Sequence, residues 1–216
     1  MFPLGDASRR MLNLPLVTFG IIAINIFVFM LELMNGNAFI AQWSLIPANI
    51  SVGRDWITLL TAMFLHAGWL QIISNIIFLW AFGPQIEDLL GAVQFLIFYL
   101  LGGLVATFTQ IAIDPMSQSA NLGASGAIAA VMGAFWITYP NDRIRMLVPS
   151  YTFTRMVLIP AIFLIGVWFL LQVFSALGSI TTLDVASGGV AYTAHIGGFL
   201  FGLVGVRLFE TAARRA

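Results

Sequence analysis

One serine stands in a glycine frame, Gly123-Ala124-Ser125-Gly126, inside sequence too apolar for water, and one of only two histidines, His195, lies about one membrane-crossing helix from the C-terminus. A serine hydroxyl is a poor nucleophile unaided, and a neutral imidazole within hydrogen-bond reach is a suitable general base for it. Asn121-Leu122-Gly123-Ala124 reads as a helix entry, which puts Ser125 in a first turn whose N–H groups have no intrahelical partner. Those donors and the positive end of the helix dipole can hold an oxyanion. Gly123 and Gly126 would let a substrate backbone approach closely. Gln71 and Asn75 are four residues apart on one helix face and add two amide donors. Each residue also has a plainer use. A serine commonly lines helix contacts, a histidine can bond a backbone carbonyl, and an amide pair can bridge two helices. A lone glycine-framed serine favours packing, and a lone histidine is evenly balanced; the combination favours chemistry. His66, just before the Gln71 helix, reads as structural, a brace for the connection that precedes it. No acidic residue is placed to orient His195, since Asp184 falls in a loop and Glu210 at the opposite end of the helix. The expected unit is therefore a dyad.

The elements that must position these groups are membrane spans. The chain has 216 residues, 60% hydrophobic and 8% charged, which excludes an ordinary soluble domain. Hydropathy predicts six spans, near Leu14–Leu33, Leu70–Glu87, Ala92–Ile113, Ser125–Thr138, Arg155–Phe174 and Gly189–Phe209. The first run is longer than a signal-peptide core and no small-x-small site follows it closely, so it reads as a permanent span. The fourth is short, which sets its Ser125 end below the membrane surface. There is no lysine, and eight of nine arginines fall on one side: Arg9, Arg10, Arg143, Arg145, Arg155, Arg207, Arg214 and Arg215, with Arg54 opposite. The positive-inside rule then makes both termini cytoplasmic and brings Ser125 and His195 to similar depth near the other face. Met34 to Arg54 mixes apolar and polar residues, as suits a structure lying in the headgroup region. Ser175 to Gly188, rich in Ser, Thr and Gly, reads as a mobile loop. At helical spacing Gly198, Gly202 and Gly205 share a face with His195, and span four, with Ala129 and Gly133, is the expected partner. Zero formal net charge suggests no nucleic-acid partner, and the absence of cysteine excludes a thiolate nucleophile, a disulfide and a Cys metal site. No cofactor and no metal are expected. The compact length leans towards a prokaryotic plasma membrane.

Three ordered blocks carry a family resemblance. Thr61-Ala-Met-Phe-Leu-His66-Ala-Gly-Trp-Leu-Gln71-Ile-Ile-Ser-Asn75, running on to Phe82-Gly83, is similar to the first-loop and second-helix signature of the rhomboid intramembrane serine proteases. Gly123-Ala-Ser125-Gly126-Ala-Ile-Ala-Ala resembles that family's nucleophile motif, and Ala194-His195-Ile-Gly197-Gly198-Phe-Leu-Phe-Gly202 its base motif. The resemblance covers nearly the whole chain. It implies an all-α polytopic membrane protein, a rhomboid-like bundle of six transmembrane helices with a membrane-interfacial first loop, as a single domain over residues 1–216. It further implies a serine endopeptidase acting on transmembrane protein substrates within the lipid bilayer. Ser125 would be nucleophile and His195 base, with Asn75 and the Ser125 amide holding the oxyanion. The fifth span and the loop after it would form a gate and cap. Glu87 corresponds to an acidic residue with a structural role on the arginine-rich side. Two positions depart from the pattern. Gln71 stands where many members have a second histidine, and it keeps a donor but cannot be charged. Ala129 stands where some have a tyrosine against which the base packs, so His195 must be oriented by other contacts. The rival readings are an inactive rhomboid-like protein that binds transmembrane clients, a transporter or channel, and a structural anchor. Retention of both serine and histidine disfavours the first, and the sparse polar lining beyond the constellation disfavours the second.

Overall fold

The computed structural model describes residues 2–148, 155–181 and 192–213. Its helices are α1 (Leu16–Asn35), α2 (Asn37–Trp43), α3 (Pro47–Ser51), α4 (Thr58–Thr61), α5 (Trp69–Leu90), α6 (Ala92–Ile113), α7 (Ser125–Thr138), α8 (Ala161–Thr181) and α9 (Tyr192–Ala213). Five of them, α1, α5, α6, α8 and α9, are long and apolar enough to cross a membrane. The shorter apolar helix α7 completes a rhomboid-like polytopic bundle. With 14 residues, α7 extends about 21 Å at 1.5 Å per residue, well short of a hydrocarbon core of about 30 Å.

Helix α7 is the centre of the bundle. Every residue from Ala127 to Phe135 is buried, as expected of a helix that is apolar all round. On one side it meets α9, where the backbones nearly touch. A Cβ added at Gly198 would fall on the Gly126 carbonyl oxygen, one at Gly202 on that of Ala130, and one at Gly133 on that of Phe199. The predicted glycine face therefore meets span four through Gly198 and Gly202. Gly205 does not belong to it, because a Cβ there would face the Phe201 ring. On another side α6 also packs tightly, with a Cβ at Gly126 only 2.6 Å from the Ala106 Cβ. Small residues replace bulk where helices must approach, since apolar burial alone does not drive association in lipid.

A three-stranded antiparallel sheet lies outside the bundle and was not expected from the sequence. Strands β1 (Phe2–Asp6), β2 (Arg143–Val148) and β3 (Arg155–Pro160) pair in the order β1-β2-β3, with Ile144 opposite both Asp6 and Ile159. Hydropathy places the apolar residues Met156 to Pro160 at the start of the fifth span, Arg155–Phe174. They pair with β2 instead, and the span begins at Ala161. An apolar run of this length does not by itself distinguish strand from helix. The sheet joins the segment before α1 to the connection between α7 and α8, which places both on the arginine-rich side.

Of the segment from Met34 to Arg54, Met34 and Asn35 close α1 and the rest carries the short helices α2 and α3. It is tied to the entry of α7 by Leu45, whose N–H and carbonyl bond Asn121 at 3.0 and 2.7 Å. The predicted loop from Ser175 is helical to Thr181 as part of α8, and the rest of that expectation, including Asp184, lies outside the described residues, as do Arg214 and Arg215.

Candidate active site

The local chain path at α7 follows from one glycine. Gly123 has φ +132°, a conformation costly for any residue with a Cβ. Its N–H donates to the Ala62 carbonyl at 2.8 Å, which fixes the turn into α7. Ile128 N–H bonds back to the Ala124 carbonyl at 3.0 Å. The amides of Ser125, Gly126 and Ala127 precede it in the first turn, where helix geometry supplies no partner.

His195, in the first turn of α9, reaches across the glycine contact. Its Nε2 lies 2.7 Å from the Ser125 Oγ. The two residues are 70 positions apart in sequence, and the close approach at Gly198 and Gly126 sets their common depth. Both line a cavity of about 660 Å³ together with Gln71, Asn75 and Trp168. Asn75 is buried, and its Nδ2 has no hydrogen-bond partner among the described residues. A buried donor left unsatisfied costs about 1–3 kcal/mol, so an unmet N–H in a cavity wall marks a place for an acceptor.

Gln71 also lines the cavity, but its amide is already engaged. Its Oε1 accepts from the Ala67 N–H at 2.6 Å, and its Nε2 donates to the Leu122 carbonyl at 3.0 Å. One N–H of that nitrogen remains. A Cβ at Gly123 would come within 2.6 Å of the Gln71 Nε2, so the glycine and the glutamine fit only each other's present positions. Gly126 owes its place to packing against both α6 and α9. His66 stands away from the cavity. Its backbone N–H donates to both carboxylate oxygens of Glu32 at 3.0 and 3.2 Å, and its ring meets Phe29 edge-on. Burial pushes the His66 imidazole down from 6.5 to about 4, so it is neutral near pH 7.

Two contacts on His195 were missed from the sequence. Gln172 Oε1 lies 2.8 Å from the His195 Nδ1, and the Trp168 ring lies 6.0 Å from the imidazole. Both belong to α8. They are the contacts that orient His195 in place of a tyrosine at Ala129, and the third partner is an amide rather than an acid. The signal was present as a lone amide in the middle of an apolar span, which is costly unless bonded. Glu87 has the structural place expected of it: its carboxylate accepts from the Val17 and Thr18 amides and the Thr18 hydroxyl, at 2.7–2.8 Å.

The profile of the rhomboid domain matches residues 53–210. This chain belongs to the rhomboid family. It is 29% identical over 194 residues to the mitochondrial presenilin-associated rhomboid-like protein of Bos taurus, covering 85% of this chain and 46% of the relative. The mitochondrial rhomboid protein 1 of Saccharomyces cerevisiae is 25% identical over 75% of this chain and 45% of its own. A Bacillus subtilis protein with the provisional name rhomboid protease YdcA is 30% identical over 44% of this chain and 49% of its own. The chain thus spans about half the length of the curated relatives it matches. The relatives that share most of its length are named mitochondrial. They overturn the expectation of a prokaryotic plasma membrane, which rested on compact length alone, and with it the cytoplasmic placement of the termini. The multi-pass membrane character stands.

Proposed function

We propose that this rhomboid-family protein is an intramembrane serine endopeptidase that cuts transmembrane segments of other membrane proteins. The observation that carries the reading is the 2.7 Å approach of His195 Nε2 to Ser125 Oγ in a cavity bordered by Asn75, whose Nδ2 has no partner among the described residues. In this reading the Ser125 Oγ attacks the scissile carbonyl carbon while its proton passes to His195 Nε2. The carbonyl oxygen gains negative charge and takes hydrogen bonds from Asn75 Nδ2, the Ser125 amide and the free N–H of Gln71. The C–N bond then breaks as the His195 proton moves to the leaving nitrogen, leaving an ester on Ser125. Water attacks that ester with His195 accepting its proton, and return of the proton to Oγ frees the second product and restores the enzyme. No metal or cofactor is needed at any step.

The shortness of α7, 14 residues, supports a cleavage site below the membrane surface at its Ser125 end, near the boundary of a substrate's span. A regular helix shields its peptide bonds, so the preferred substrate is a span that unwinds easily there. The relatives' names support a mitochondrial membrane as the bilayer.

The test is cleavage of a single-span substrate in proteoliposomes, wild type beside Ser125→Ala. The wild type should cut within the transmembrane region and the variant should not. A wild type that neither cuts nor takes up a serine-directed fluorophosphonate probe would defeat the proposal.

A further inference from the structure

His195 is held at both ring nitrogens, and the two holds come from different helices. Nε2 faces Ser125 on α7, whereas Nδ1 faces Gln172 on α8. The direction of the second bond follows from the rest of the amide. Gln172 Nε2 donates to the Trp168 carbonyl at 3.4 Å, one turn back on α8. Its Oε1 is therefore the atom turned to His195, and an amide oxygen can only accept. Nδ1 must then carry the proton. In a neutral ring that leaves Nε2 with its lone pair directed at the Ser125 hydroxyl, the tautomer a general base requires. Trp168 lies beside the same ring from the same face of α8. Ala129, buried under this end of α7, offers neither a ring nor a polar atom.

We propose that Gln172 is a positioning residue that selects the working tautomer of His195, and that the base is competent only while α8 is seated against α9. The inference rests on the endopeptidase reading for its consequence, though not for the tautomer itself. Gln172 touches neither substrate nor Ser125. It acts through the imidazole, and any movement of α8 away from α9 that widens the cavity breaks the Nδ1 bond at the same time. Access to the site and readiness of the base are thereby linked through one helix.

The measurement is the imidazole ¹⁵N spectrum of histidine-labelled protein in lipid nanodiscs, for wild type, Gln172→Leu and Gln172→Glu. The chain has two histidines, and the buried His66 reports whether each variant is folded. Gln172→Met, closer in length, replaces the leucine variant if the His66 signal is lost. Wild type should show the Nδ1–H tautomer. Gln172→Leu should show a mixture, and Gln172→Glu, which keeps an acceptor, should restore Nδ1–H. Fluorophosphonate labelling should fall about ten- to hundredfold in Gln172→Leu, the range seen when the orienting partner of a metal-bound imidazole is removed, with kcat falling and KM little changed. Identical tautomers in wild type and Gln172→Leu would overturn the proposal, as would equal labelling rates in a wild type that labels. A tautomer that depends on Gln172 in a protein that never labels would uphold the ring's positioning and defeat the protease reading instead.

Discussion

At the scale of residues, the cavity separates two amides that the sequence treats alike. Asn75 and Gln71 share a face of α5, but of the two only Asn75 presents a nitrogen with neither hydrogen engaged among the described residues. Loss of one preorganised oxyanion donor costs on the order of 10²–10³ in kcat. Asn75→Ala should therefore lower kcat by about that factor with little change in KM. Gln71→Ala removes one donor hydrogen and also the brace between Ala67 and Leu122, which shapes the turn at Gly123. A smaller fall in kcat accompanied by a lower melting temperature is expected for it. Steady-state cleavage and thermal unfolding on both variants check the contrast, and equal kcat losses without destabilisation of Gln71→Ala would contradict it. Ser125, His195, Asn75 and Gln71 were all legible because polar groups stand out in apolar sequence. Gln172 stood out in the same way. Its pairing with His195 was not legible, because an amide on one span and a histidine on another, 23 positions apart, meet only through the packing of α8 on α9.

At the scale of elements, the membrane helices were legible from hydropathy and the sheet was not. Hydropathy reports transfer to lipid, and Met156 to Pro160 are as apolar as a span; only pairing with β2 decides their form, and pairing is not encoded in a window of sequence. The docking of α1 depends on a contact that is likewise non-local. The Glu87 carboxylate of α5 receives two backbone donors and a hydroxyl at the start of α1, capping in trans a helix whose own N-cap residue, Pro15, makes no side-chain capping bond. Carboxylates at helix N-termini are favoured by the dipole as well as by the bonds. Hydrogen bonds to charged groups contribute about 1.5–3 kcal/mol, so Glu87→Gln should destabilise the protein by about 2 kcal/mol. The site lies at the opposite end of the bundle, and fluorophosphonate labelling well below the melting temperature should be unchanged. Unfolding by heat in detergent, followed beside labelling, tests both halves.

At the scale of the whole molecule, acid acts oppositely on two ends of the fold. His66 lies where the first connection meets α5, and its proton affinity is lowered by burial, to about 4. Its contribution to stability is complete above the unfolded value of 6.5 and is lost as pH falls towards 4, because the unfolded chain takes up a proton that the folded one refuses. The full effect is on the order of 3 kcal/mol. Asp6 belongs to the sheet at the other end, where burial raises its carboxyl above 3.8 and the neighbouring Asp142 adds repulsion. The folded protein holds the Asp6 proton more tightly than the unfolded chain does, so acidification through that window stabilises the sheet. The two groups partly cancel in a global melting curve. Relative to wild type, His66→Phe, which retains an aromatic ring beside Phe29, should gain stability as pH falls from 6.5 to 4. Asp6→Asn should fall in stability relative to wild type as the pH drops towards 3.8, since the opposing gain is gone. Melting temperatures from pH 4 to 7 for wild type and both variants separate the terms. If His66→Phe keeps the wild-type slope, the imidazole is not the group that the fold holds neutral.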